Sequence, residues 1–411
     1  MSKTVVIVAA LDTKGQEAKL IRDFVAAHGV TPLVLDVGVL DQPSIPADVS
    51  RAEVARAGGD DLAALAAVRD KARAMEVMPR GAAAVAARLH AEGRLDGIIG
   101  IGGSAGTAIA SSAMRALPVG VPKLLVSTVA AGDTRPYVGT KDVTMMYSVV
   151  DIAGINSLSA RILTNAAAAI VGMANAEPPR VARRPLLAAS MFGNTTACVD
   201  RARGKLEQAG YEVLVFHATG AGGQTMESLI ADGYIDGVLD ITTTEWADQL
   251  CGGVFAAGPT RLDAAGHAGV PQVIAPGCLD MVNFGAPDTV PAKYAGRKLY
   301  RWNPNVTLMR TTPEENAELG KIIAEKANAA KGPTAILIPL RGVSQLDSAG
   351  GDFWWPEADA ALYSAIKANV LTGVPVIELD HNINDPEFAD RAAGLLLELV
   401  RSRATATGAG A

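Results

Sequence analysis

Aromatic residues make up only 4% of this 411-residue chain, and its three cysteines, Cys198, Cys251 and Cys278, form no CxxC pair. So sparse and odd a set argues against a disulfide framework and suits a reducing compartment, so a cytoplasmic location is expected. Histidine is equally thin. His28, His90, His217, His267 and His381 are dispersed, with no HxH or HExxH spacing, so no metal site is expected. No stretch reaches the ~20 apolar residues that cross a bilayer. Asn165 to Ala176 is apolar but shorter, and reads as a buried helix. Positive charge is also wanting: the net charge is −6, and Arg180, Arg183 and Arg184 are the basic part of a linker. Nucleic acid and membranes are therefore not expected as partners. There is no Walker loop and no Gly-x-Ser-x-Gly elbow.

What the chain does have is apolar bulk and glycine, 49% hydrophobic residues and 42 glycines. That mix suits helices packed closely on parallel sheets. It also repeats itself. Leu95-Asp96-Gly97 opens an apolar run that ends in Gly102-Gly103-Ser104-Ala105-Gly106-Thr107. Ile235-Asp236-Gly237 opens another that ends in Thr242-Thr243-Thr244-Glu245. Each leads through a helical stretch to Gly-Val-Pro and a second apolar strand, at Gly120-Val121-Pro122 and Gly269-Val270-Pro271. The expected fold is α/β, two pseudo-duplicated Rossmann-like domains with mainly parallel sheets and a ligand cleft between them.

The domains are expected at 1–178 and 185–402, joined by a Pro/Arg linker from Glu177 to Pro185. In the first, strands are read at Thr4 to Ala9, Leu33 to Val37 and Leu124 to Ser127, with an edge strand at Val143 to Val149. An Ala-rich helix from Leu62 to Glu92 is interrupted near Pro79. In the second, strand–helix alternation runs through Val306 to Met309 and predicts parallel pairing throughout. Thr312, Pro313 and Glu315 spell a helix start. The tail from Arg403 to Ala411 reads as frayed.

Polar turns at strand ends carry the candidate chemistry. Asp12 and Lys14 follow the first strand, where a helix N-terminus can face an anion. Gly102, Gly103, Ser104, Gly106 and Thr107 make a turn that lets a phosphate approach the backbone, with hydroxyls to donate; a plain tight turn is the alternative. Ser127 and Thr128 follow the next strand. In the second domain Thr219, Gly220, Gly222 and Gly223 precede a helix and form the strongest candidate cradle. His217 beside it is the candidate acid–base, with Glu245 as its partner across one cleft. The alternative for Glu245 is a helix-start residue that complements the dipole.

Several stretches resemble one known family. They are Ile101-Gly102-Gly103-Ser104, Met145-Met146-Tyr147-Ser148, Val215-Phe216-His217-Ala218-Thr219-Gly220, Leu279-Asp280-Met281-Val282-Asn283-Phe284-Gly285, Val306-Thr307-Leu308-Met309-Arg310-Thr311 and Asn384-Asp385-Pro386. The likeness, over about residues 3 to 400, is to the Tm-1-like ATP-binding family. The resemblance implies a two-domain α/β protein, a homodimer, that binds ATP, with Mg²⁺ as the accompanying ion. In a plant relative a TIM-barrel domain follows, so a separate TIM-barrel protein is an expected partner. Family members often carry His where this chain has Trp302. Besides ATP binding, two alternatives stand: an enzyme of oxo-acid or sugar-acid catabolism acting with the barrel partner, and a non-catalytic regulatory module.

Overall fold

The computed structural model describes residues 2–68, 71–179 and 184–408. The chain divides into two compact units, Met1–Arg180 and Val181–Ala411. The centre of the Glu177–Pro185 linker, residues 180–183, lies outside the described residues, as does the end of the tail, residues 409–411.

The first unit runs β1 (Thr4–Ala9), α1 (Leu11–Ala27), β2 (Thr31–Asp36), α2 (Arg51–Ala57), α3 (Leu62–Val68), α4 (Lys71–Ala91), β3 (Gly97–Gly102), α5 (Ser104–Arg115), β4 (Lys123–Ser127), α6 (Arg135–Val138), β5 (Thr144–Tyr147) and α7 (Ser157–Asn175). Its strands pair in parallel in the order β2-β1-β3-β4-β5. Side chains alternate between the two faces. Val6, Val8 and Ile98 pack with α2, α4 and α5, whereas Val5, Ile7 and Ile99 pack with α1 and α7. By length and composition α7 could cross a membrane; here Leu163, Ala166, Ala167 and Ile170 are buried against the sheet. The expected interruption at Pro79 does not occur, and α4 passes through it. Its packing on α2 is close: a Cβ on Gly81 would lie 1.9 Å from the Val54 carbonyl oxygen. Such contact offsets the one helical bond a proline forfeits.

The second unit runs β6 (Leu186–Met191), α8 (Thr196–Gln208), β7 (Glu212–His217), α9 (Ala221–Ala231), β8 (Gly237–Thr242), α10 (Glu245–Cys251), α11 (Ala264–Ala268), β9 (Gln272–Gly277), β10 (Met281–Phe284), β11 (Leu299–Asn303), β12 (Val306–Arg310), α12 (Pro313–Asn328), β13 (Thr334–Pro339), α13 (Pro356–Asn369), β14 (Val376–Leu379) and α14 (Pro386–Gly408). The main sheet is parallel in the order β7-β6-β8-β9-β13-β14. Strand for strand this repeats the first sheet, with one strand added at the far edge. The repeated sequence pattern thus reflects a repeated topology, with the order reversing between β1 and β3 and again between β6 and β8. Ligands of doubly wound sheets gather at such switch points, outside the carboxyl ends of the strands.

One expectation is corrected here. Val306–Arg310 does not join the parallel series. It is the middle strand of a separate antiparallel sheet, β10-β12-β11. The alternation fails because no helix as long as a crossover separates β10, β11 and β12; only 3₁₀ turns intervene, and parallel neighbours need a crossover. The predicted helix start does form: Thr312 caps the Glu315 N–H, and the Glu315 carboxylate accepts the Thr312 N–H.

Candidate functional site

At the first switch point two helices begin side by side, α1 after β1 and α5 after β3. The α1 terminus is already neutralised from within. Asp36, at the end of β2, accepts the N–H groups of Leu11 and Gly38 through Oδ1 at 3.0 and 2.9 Å. Asp36 is 1% exposed, and burial raises its pKa even though these bonds favour the charge. Lys14 is therefore not at an open turn. It lies inside α1 at a kink, and its N–H donates to the Ala10 carbonyl oxygen.

The α5 terminus has no such partner. Gly103, its N-cap, offers no side chain to the first turn, so the N–H groups there point outward unpaired by a cap. In front of them is a cleft of about 660 Å³. Asp12, Thr13, Asp41, Ala105 and Gly106 give it its polar edge, while Leu65, Met75 and Ile109 give it apolar walls. Asp12 is held by the Leu40 N–H, which donates to its Oδ2 at 3.0 Å. A Cβ on Gly38 would lie 2.7 Å from the Asp12 carboxyl, so only glycine lets Asp12 sit there.

Other predicted residues of this turn have internal duties. Thr107 and Ser127 are fully buried and bonded to each other, Oγ1 to Oγ at 2.6 Å, which ties α5 to β4. Ser127 also accepts the Val129 N–H. The Thr128 N–H donates to the Gly102 carbonyl oxygen. Gly102 is required by packing, since a Cβ there would lie 2.6 Å from the Gly106 Cα. Ser104 is exposed at the start of α5, and neither it nor Lys14 lines the cleft among the described residues. Asp41, Gly38, Leu65 and Met75 were not foreseen; no motif marks them, because the long β2–α4 excursion brings them back to the strand ends, where Ile109 of α5 meets them.

The corresponding corner of the second unit is filled. Arg261, 1% exposed, enters from the loop before α11. It grips Asp240 with two 2.6 Å bonds, meets Glu245 Oε2 at 2.6 Å and Glu227 Oε1 at 3.2 Å, and donates a last bond to the Thr242 carbonyl oxygen. All five guanidinium donors are thereby used. Burial works against its charge, yet the Asp240, Glu245 and Glu227 carboxylates hold its pKa well above the ordinary value. Ser190 on β6 completes the set, donating to Asp240 at 2.6 Å.

This arrangement corrects the reading of the second-domain turn. The Gly220 and Gly223 N–H groups donate to Glu245 Oε1 at 2.8 and 3.1 Å. The anion they hold is the protein's own. A Cβ on Gly223 would lie 2.2 Å from the Glu245 carboxylate, and one on Gly222 would lie 1.8 Å from the His217 carbonyl oxygen. Gly220 has φ +79, a conformation natural to glycine. Thr219 donates to the His217 carbonyl oxygen.

Glu245 is therefore a buried group at the head of α10, not the acid–base partner of His217. Burial raises its pKa, opposed by Arg261. His217 ends the edge strand β7, exposed, its ring edge-on to Phe192 at 5.4 Å. The strand β6 stands between β7 and β8, so the two residues issue from strands about 10 Å apart rather than from neighbours.

A duplicated pair of doubly wound α/β units, one with an open switch point and one with a salt-bridged switch point, is the class this architecture defines. Residues 3–179 match the Uncharacterised protein family (UPF0261) N-terminal domain, and residues 184–400 its C-terminal domain. The chain belongs to the UPF0261 family. A UPF0261 protein of Clostridium tetani is 53% identical over 402 residues, covering 97% of this chain and 100% of that one. One from Rhizobium meliloti is 46% identical, covering 95% and 97%. The ToMV resistance protein Tm-1(GCR237) of Solanum lycopersicum is 45% identical over 316 residues; that match spans 75% of this chain and 42% of the tomato protein.

Proposed function

We propose that this protein binds ATP or a related nucleotide in the cleft of its first unit, in a cytoplasmic setting. The observation that carries the reading is the uncapped N-terminus of α5 opening onto a cleft at a switch point. Its volume falls in the range of ligand pockets, roughly 300–1,000 Å³. Free N–H groups at a helix start suit phosphate oxygens. The apolar wall of Leu65, Met75 and Ile109 suits a base, and Asp12 and Asp41 suit ribose hydroxyls. Those carboxylates also suit Mg²⁺ accompanying the phosphates. The resemblance of the chain to the Tm-1-like ATP-binding family implies the same ligand.

Calorimetric titration of ATP, ADP and AMP into the wild type and an Ala105→Glu variant tests it. Glutamate there presents a competing carboxylate to the α5 terminus while remaining compatible with a helix start. Affinity for ATP is expected to fall by about tenfold or more. Equal affinity in both proteins would remove the α5 terminus from any nucleotide site.

A further inference from the structure

The second unit has an open cleft of its own, of about 600 Å³, on the opposite face of its sheet from the Arg261 corner. The loops after β6, β13 and β14 form it, with the first turn of α8 and the start of α14 at its floor. Its chemistry differs from that of the first cleft. Asn194, Gln345, Asn382 and Asn384 line it, and no lysine or arginine does so among the described residues. Asp385 adds a carboxylate.

Within this lining the amides brace one another. Asn384 Nδ2 donates to the Asn194 carbonyl oxygen at 2.9 Å, and the Gln345 N–H donates to the same oxygen at 3.1 Å. Asn382 Nδ2 donates to three carbonyl oxygens of the β13–α13 loop. One atom is left over. Asn194 is 1% exposed, and its Oδ1 has no hydrogen-bond partner. Its Nδ2 has only the Met281 sulfur, at 3.5 Å. A buried amide in this condition points to a missing partner. Whichever way the amide is turned, one of its polar atoms faces no group able to satisfy it.

Trp302 stands at the rim. A Cβ on Gly193, a lining residue, would lie 3.6 Å from Trp302 Cζ2, and Trp302 is 43% exposed. It lies in β11, which Tyr300 ties to the body through Phe353 at a 6.2 Å ring distance.

We propose that this cleft binds a small polyhydroxylated molecule, a sugar or polyol of roughly monosaccharide size. Asn382 and Asn384 hold the loops through both amide atoms, each oxygen keeping a lone pair, and the exposed Gln345 amide offers a donor and an acceptor side by side, the pattern that adjacent hydroxyls require. With no cation in the lining and Asp385 present, a polyanion finds no counter-charge. An exposed indole at the rim provides a flat apolar surface for the C–H face of a sugar ring. This inference does not depend on nucleotide binding, which concerns the other unit.

The test is a titration of the full chain with a panel of pentoses, hexoses, alditols and aldonates, followed by calorimetry and tryptophan fluorescence. Inorganic phosphate and ATP are separate arms. At least one polyol is expected to bind with one-to-one stoichiometry and to change the fluorescence. Gln345→Ala, at an exposed loop position, and Trp302→Ala should each weaken binding about tenfold, with circular dichroism unchanged. Asn194→Ala should do the same if it folds. The idea is overturned if no member of the panel binds, or if binding survives both Gln345→Ala and Trp302→Ala unchanged. It is also overturned if phosphate alone competes with the polyol and is weakened by the same variants, which would mark a simple anion site.

Discussion

The two sheets share a strand order, yet their switch points have opposite contents. In the first unit the α5 terminus opens onto space, and Asp36 neutralises only its neighbour α1. In the second, Glu245 occupies the Gly220–Gly223 turn and Arg261 locks it to Asp240 and Glu227. The units even open on different faces. The first cleft lies on the α4–α5 side, while the second lies over α8 and α14, the counterparts of α1 and α7. Repetition of topology therefore does not repeat a site. A loop that delivers one arginine is enough to turn an open switch point into core.

The largest test of that contrast is Arg261→Met. It leaves three carboxylates without their common cation in a dry site, and removing one partner of such a network costs about 3–5 kcal/mol. Denaturant unfolding should show that loss. Adding Asp240→Asn and Glu245→Gln should restore part of it, because neutral groups no longer need the cation. A loss under about 1 kcal/mol would mean the network behaves like a surface pair.

The filled unit should also carry a pH dependence. Asp248 accepts N–H groups from Asn283 and Phe255, yet burial raises its pKa to about 7. Asp280 and Asp359, around Arg310, are likewise raised by burial, to about 7 and about 8. Below the ordinary carboxylate range both folded and unfolded states hold these protons. Above it the unfolded chain releases them first, so stability falls as pH climbs from about 4 through about 8. Asp248→Asn should flatten that slope in a pH series of unfolding midpoints. An unaltered slope would assign the dependence to the Arg310 group alone.

Paired glycine substitutions sharpen the comparison further. Gly223→Ala gains helix propensity but drives a methyl into a carboxylate that Arg261 prevents from yielding, so a net loss of about 1–3 kcal/mol is expected. Gly103→Ala meets nothing closer than the Thr128 hydroxyl at 3.8 Å. Its stability should stay within about 0.5 kcal/mol of the wild type, measured in the same unfolding assay. Similar losses in both would erase the difference between the corners.

Much of this fold was legible because it is local. The bounds of β1, read from Thr4 to Ala9, match. The Thr312 start follows from residue types three apart, and the repeat from matching Asp-Gly and Gly-Val-Pro marks. The site was less legible because its contacts are not periodic. Arg261 lies 16 residues from Glu245, 21 from Asp240 and 34 from Glu227, in a loop with no motif. Nothing in the sequence says that β6 separates β7 from β8, since strand order depends on crossovers rather than composition. The glycines of residues 220–223 were read as room for a ligand. They are room for Glu245.

The Glu245 carboxylate has one more consequence, in terms of concentration. A dissolved anion occupies a helix terminus only in proportion to its abundance, but one tethered in the same chain is present at a fixed and high effective concentration. The corner above β6 and β8 is thus saturated under every condition in which the protein is folded. Its order does not answer to the composition of the solution, whereas the α5 terminus is left to respond to whatever solute the medium supplies.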